Sequence, residues 1–143
     1  MPDANRQITP EALRERIESS FPARMGVEPV EITDEQSIGR MEVDERHLHP
    51  GMLVHGGAWV ALADSVGAWQ TYRHLPPGHD FTTVEMKLNV FAGARAGDEL
   101  VATARHLHAG RSTHVIEVQV HRGDRLVANL LITQLVLAPA SAE

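Results

Sequence analysis

Apolar residues change their spacing along this chain, from helical to alternating near residue 27, to apolar nearly all round after Gly56, and to β-rich runs after Asp80. Thr9 followed by Pro10 predicts a helix start, because threonine caps free N–H groups and proline brings none of its own to leave orphaned. Glu11 and Glu15 suit the positive end of that helix. Ala12, Leu13, Ile17 and Phe21 give it one apolar face, and Pro22 is expected to end it. Residues 27–32 and 38–43 then read as strands, with Asp34 and Glu35 near the turn between them. Residues 1–7 and 138–143 read as loose termini.

Between Gly56 and Leu75 the pattern is apolar nearly all round, through Ala58, Trp59, Leu62, Val66, Trp69 and Tyr72. Such a segment predicts a buried helix, and Pro76, Pro77 and Gly78 stop it. After Asp80 come four β-rich runs, residues 82–91, 99–108, 113–122 and 126–137, separated by glycine-bearing turns. A long buried helix followed by an antiparallel meander predicts a single α+β domain across residues 1–143, with the sheet wrapped around a central helix.

Composition narrows the functional classes. A formal net charge of −6 argues against a nucleic-acid partner, which requires a broad basic surface. Arginine carries almost all the positive charge, Lys87 being the sole lysine. No cysteine is present, which excludes disulfides, thiolate catalysis and cysteine-held zinc. No run is apolar and long enough to span a membrane or to act as a signal peptide, so a soluble cytoplasmic protein is expected.

One acid, Asp64, lies in the middle of the apolar helix, where an ionised carboxylate is costly without partners. It has two readings: a structural aspartate bonded to Ser65, Thr71 or an arginine, or a reactive group. His55, Gly56 and Gly57 stand where the chain enters the helix; two glycines permit a tight approach, and the helix N-terminus offers free N–H donors to a developing oxyanion. Asp64 lies eight residues after Gly56, about 12 Å along a helix axis. Both groups therefore cannot act on one carbonyl within one chain, because attack requires contacts of roughly 3 Å. If they share a site, the helix pairs antiparallel with its copy in a homodimer, and Asp64 of one chain meets Gly56 of the other.

The run from His55 to Ser65 (HGGAWVALADS) resembles the signature of the hotdog-fold thioesterase superfamily, in its phenylacetate-pathway (PaaI-type) and 4-hydroxybenzoyl-CoA thioesterase branches. Thr83 to Asn89 (TVEMKLN), Ala94 to Asp98 (ARAGD) and His108 to Ser112 (HAGRS) match in the same order, so the resemblance covers about residues 35–137. It implies a five- or six-stranded antiparallel sheet around a central helix, a homodimer often paired again into a tetramer, and hydrolysis of acyl-coenzyme A without metal or redox cofactor. It further implies Asp64 as general base or nucleophile, acting across the dimer on a carbonyl held by the Gly56 N–H. The position six before His55, usually Asn or Gln in these branches, is His49 here. Thr83 falls where a hydroxyl meets the lytic water, and the loop of His108, Gly110, Arg111, Ser112 and Thr113 falls where the coenzyme A nucleotide binds, with Arg111 as phosphate partner. Gly57 belongs to the same substrate-binding set.

Blander readings stand beside these. His55 fixes the loop or shuttles a proton; Arg111 holds phosphate or is a solvated charge; Thr83 is a site hydroxyl or an ordinary strand residue. His47, His49 and His55 lack a carboxylate or further histidine at helical ligand spacing, so no metal is expected. Trp59, Trp69, Phe81 and Phe91 line a pocket or fill the core. Two other functions share the fold: a non-catalytic acyl-CoA-binding protein, and an acyl-thioester hydratase, whose histidine–carboxylate pattern is missing here.

Overall fold

The computed structural model describes residues 7–141, so the readings of residues 1–6 and 142–143 as loose lie outside the described residues. Three α-helices and six strands follow in the order α1 (Pro10–Ile17), α2 (Phe21–Arg24), β1 (Val27–Ile32), β2 (Ser37–Glu42), α3 (Gly56–His74), β3 (Asp80–Val90), β4 (Glu99–Ala109), β5 (Thr113–Arg122) and β6 (Arg125–Leu137). No helix among the described residues is long and apolar enough to cross a membrane.

Thr9 caps α1 as expected, its hydroxyl accepting from the Ala12 N–H at 3.1 Å. The helix is shorter than its apolar pattern suggested. It ends at Ile17, and Phe21 and Pro22 open α2 instead of closing α1. Proline cannot continue a helix but fits the first turn of a new one, so Pro22 marks a restart. Of the expected apolar face only Leu13 is buried and Ile17 half-buried; Ala12 and Phe21 are exposed.

All six strands form one antiparallel sheet in the order β1-β2-β4-β5-β6-β3. The expected meander therefore holds for β4, β5 and β6 but not for β3, which lies against β6 at the far edge. Residues 91–98 carry the chain back across the sheet end. Phe91 and Ala92 donate to the Val127 carbonyl, Val54 donates to that of Ala94, and Gly97 to that of Val43. Helix α3 occupies the concave face and needs cover from β2, β4, β5 and β6; a plain four-strand meander would leave part of it bare.

The core lies between α3 and the sheet, with Met41, Leu62, Val66, Leu100, Ile116, Leu130 and Ile132 all fully buried. Helix and sheet approach closely where side chains vanish. A Cβ on Gly39 of β2 would stand 2.5 Å from Val66 Cγ2 and 2.9 Å from Trp69 Cζ3. Strand β3 is different: its eleven residues form an edge, and Val84, Met86 and Val90 are exposed along it.

Candidate active site

Most of α3 is buried, and the half-covered Val60, Asp64, Ala68 and Tyr72 form one stripe spaced by one helical turn, with Arg73 and His74 also half-covered at the end of the helix. Asp64 thus stands half-buried on the face turned away from the sheet core. Neither expected local partner bonds it. Ser65 donates instead to the Ala61 carbonyl at 2.6 Å, Thr71 donates to the Gln134 side chain, and among the described residues no cation pairs with the carboxylate. Its partner is Thr83 on β3, whose hydroxyl donates to Oδ1 at 3.4 Å. Burial pushes the Asp64 carboxyl above the usual aspartate range, and the Thr83 hydrogen bond partly opposes that rise.

Behind Thr83 runs a directed chain that the sequence did not disclose. Thr71 donates to Gln134 Oε1, and the Gln134 amide donates to Thr83 Oγ1 at 3.4 Å. With its oxygen occupied by that amide, Thr83 is left to turn its own proton toward Asp64. Thr71 and Gln134 are fully buried. Gln134 occupies the inward register of β6 after Ala128, Leu130 and Ile132. Its signal in the sequence is one polar residue in an apolar alternation, legible only once the inward face is known.

At the other end of α3, His55 is the N-cap, and its Nδ1 accepts from the Gly57 N–H at 2.8 Å. That bond uses the Gly57 donor, while the Gly56 N–H is unpartnered among the described residues. Neither glycine has a positive φ, so a tight turn does not require them. A Cβ on Gly56 would meet nothing within 4 Å in its own chain. The space beside the Gly56 Cα is thus open to whatever lies outside the chain.

His49 lies in the loop before the helix, where its Nδ1 accepts from the Gly51 N–H at 2.9 Å; no hydrogen bond joins it to Asp64 within the chain. His47 does the same for Asp44 at 2.9 Å, and its Nε2 donates to the Met25 carbonyl at 2.7 Å. All three histidines of this region thus spend one ring nitrogen on a backbone N–H, which fixes the path into the helix.

The β4–β5 turn closes through the Gly110 N–H, which donates to the Thr113 carbonyl at 2.9 Å, and the Ser112 carbonyl accepts from Val136. A Cβ at Gly110 would lie 2.5 Å from His108 Nε2. Arg111 is exposed at the tip and has no acidic partner among the described residues. Beside the turn His106 and His114 share a 2.9 Å hydrogen bond. Burial and the neighbouring His74 lower both, His106 to about 4, so the rings are neutral at neutral pH. Within one chain, then, Asp64 and Thr83 meet, whereas Gly56, His49 and Arg111 stand apart from them. Trp59 fills the core, Phe91 is exposed, and Trp69 and Phe81 line a groove beside α1.

The central helix and the six-stranded sheet wrapped around it define a hotdog fold. The family model of the thioesterase superfamily matches residues 51–129, and the chain belongs to that superfamily. A protein of Pseudomonas aeruginosa described as a putative esterase is 34% identical over 101 residues, 70% of this chain and 69% of its own length. A mutant crystal structure of that enzyme matches with a TM-score of 0.87 over 92% of this chain and 95% of the other, at 28% identity. The 1,4-dihydroxy-2-naphthoyl-CoA hydrolase of Escherichia coli is 30% identical over 115 residues, 80% of this chain and 84% of that one. A Haemophilus influenzae thioesterase shares the fold with a TM-score of 0.90 over 97% of both chains, at 23% identity.

Proposed function

We propose that the protein hydrolyses an acyl-coenzyme A thioester to a carboxylic acid and free coenzyme A, at a site shared by two chains. The observation that carries this reading is Asp64, a half-buried carboxylate without a cation, held by one hydroxyl on an otherwise apolar helix face. Such a group costs stability and is retained where its basicity is used. The relative in Escherichia coli, named as a hydrolase of an acyl-CoA, supports the same substrate class.

In this reading the thioester carbonyl lies against the free Gly56 N–H of one chain, within reach of Asp64 of the other. Either Asp64 takes a proton from water as the water oxygen attacks the carbonyl carbon, or the carboxylate attacks directly and water then hydrolyses the anhydride. Both routes place negative charge on the carbonyl oxygen, which the helix N-terminus stabilises. Both break the C–S bond, and the departing thiolate takes its proton from Asp64 in the first route and from water in the second. His55 orients the loop, His49 stands where relatives place an amide, and Arg111 with its turn meets the nucleotide phosphates. The exposed β3 edge is where the second copy pairs, which extends the sheet and brings two α3 helices together.

The test is free-thiol release from a panel of acyl-CoAs by the purified protein and by Asp64→Asn. Turnover by the wild type and its loss in the variant are expected. A panel that yields thiol with neither protein, or equally with both, removes the proposal.

A further inference from the structure

Between α1 and α3 lies an apolar groove of about 260 Å³. Ile8, Leu13 and Ile17 form its cover, and Ala68, Tyr72 and Phe81 its floor, with Trp69 beside them. We infer that this groove receives the acyl group of the substrate, and that the group is uncharged and apolar, with about ten carbon atoms or fewer; the assignment rests on the thioesterase reading above.

Position comes first. Ala68 stands one helical turn beyond Asp64 on the same stripe of α3, and Phe81 stands two residues before Thr83 on the same face of β3. Asp64 and the residue that bonds it are thus each followed, in one direction, by a wall of the groove. An acyl chain leaving a carbonyl at Asp64 toward the C-terminal end of α3 runs into it.

Chemistry fixes the class. No acidic side chain lines the groove. Its one cation, Arg16, is committed at the rim, where it donates to the Tyr72 hydroxyl at 2.7 Å and lies 5.0 Å from the centre of that ring. This contact ties the cover to the central helix. Ser20, the other polar lining residue, donates its hydroxyl to the Ile17 carbonyl, so the rest of the lining is hydrocarbon, which disfavours a charged acyl group. Size follows by proportion. A dry cavity of ~150 Å³ takes benzene, so roughly 260 Å³ accommodates on the order of ten carbons.

The experiment compares kcat/KM for acetyl-, octanoyl-, benzoyl- and palmitoyl-CoA in the wild type, Ala68→Phe and Phe81→Ala. The wild type is expected to prefer octanoyl- and benzoyl- over acetyl-CoA by at least ~10-fold, since each buried methylene contributes severalfold. Ala68→Phe fills the floor and should lower the octanoyl-to-acetyl ratio by about 10-fold. Phe81→Ala enlarges the groove and should move the optimum toward palmitoyl-CoA. A wild-type profile flat from acetyl to octanoyl, or variants that change every substrate by one factor, overturns the assignment. A binding measurement separates this outcome from failure of the thioesterase reading. Trp69 lines the groove, so octanoyl-CoA should shift tryptophan emission where coenzyme A alone does not, and Ala68→Phe should abolish the shift. If no thiol is released from any substrate but this shift is seen, hydrolysis fails and the groove stands. If octanoyl-CoA leaves emission unchanged, or coenzyme A shifts it equally, the groove assignment fails.

Discussion

Asp64 is placed where burial makes its charge costly to the fold and raises its basicity. Burial raises its carboxyl, so the folded chain binds that proton more tightly than the unfolded chain does. By linkage, the group favours the fold below the ordinary aspartate range, and that contribution is lost as pH rises through the raised folded value. Asp64→Asn should therefore have a higher Tm than the wild type at neutral pH, with the gap closing on acidification, while kcat falls by at least ~10². Equal Tm at all pH values would show that the carboxylate is not strained. The same residue should set the acid limb of kcat/KM, activity falling as Asp64 protonates. Thr83 stabilises the ionised form, so Thr83→Val should move that limb to higher pH. A limb that does not move would separate Thr83 from the carboxylate's chemistry. Asp64 and Thr83 were both readable in the chain, the acid as a charge in an apolar run. Thr71 and Gln134 were not, because a helix residue and a strand residue 63 positions apart share no local pattern.

The elements impose their own tests. Helix α3 rests on β2 where Gly39 leaves room, and the neighbours there are a β-branched side chain and a rigid indole. Gly39→Ala should destabilise the fold by about 1–3 kcal/mol, the usual cost of overpacking, read as a lower urea midpoint with unchanged slope. A midpoint within error of the wild type would mean that helix and sheet are not locked at this point. The β4–β5 turn is held by Gly110 and presents Arg111 outward. Arg111→Ala should raise KM for acyl-CoA and spare kcat, because a phosphate remote from the carbonyl is bound alike in ground and transition states. A larger change in kcat than in KM would assign the arginine another role. Strand limits were legible to within two or three residues, since alternation and turn glycines are local signals. The place of β3 was not, since pairing with β6 depends on which neighbour completes the cover of α3.

At the scale of the whole molecule, the open space above Gly56 and the exposed β3 edge both point outward from a single chain. A shared site can be tested with two inactive variants, Asp64→Ala and Gly56→Pro. Gly56 is the first residue of α3, a position that accepts proline, and His55 before it is already extended at φ −65° and ψ 143°, as a residue preceding proline prefers. Gly56→Pro should therefore fold while losing the donor. In a mixed dimer one site combines Gly56 from the first variant with Asp64 from the second, so co-refolding should return about a quarter of the wild-type sites. Once each variant is shown to fold and dimerise, an inactive mixture would rule out a site divided between chains.

The sequence by itself determined the central helix, the strands, the lone acid and the glycines at the helix entrance, because each is written in spacing, charge or turn chemistry along a short stretch. It also determined that Gly56 and Asp64 stand too far apart along one helix to share a carbonyl, since helical rise per residue is fixed. Only the tertiary structure decided the rest. It turned Asp64 to the open stripe of α3, set Thr83 against it from a strand at the sheet edge, and buried Gln134 behind Thr83. It also divided the two glycines, leaving the Gly56 N–H free while His55 took that of Gly57. These are choices among partners that the chain brings together from distant positions, and they follow from how α3 fills the concave face of the sheet, where side-chain volume and hydrogen-bond satisfaction act across the whole fold at once.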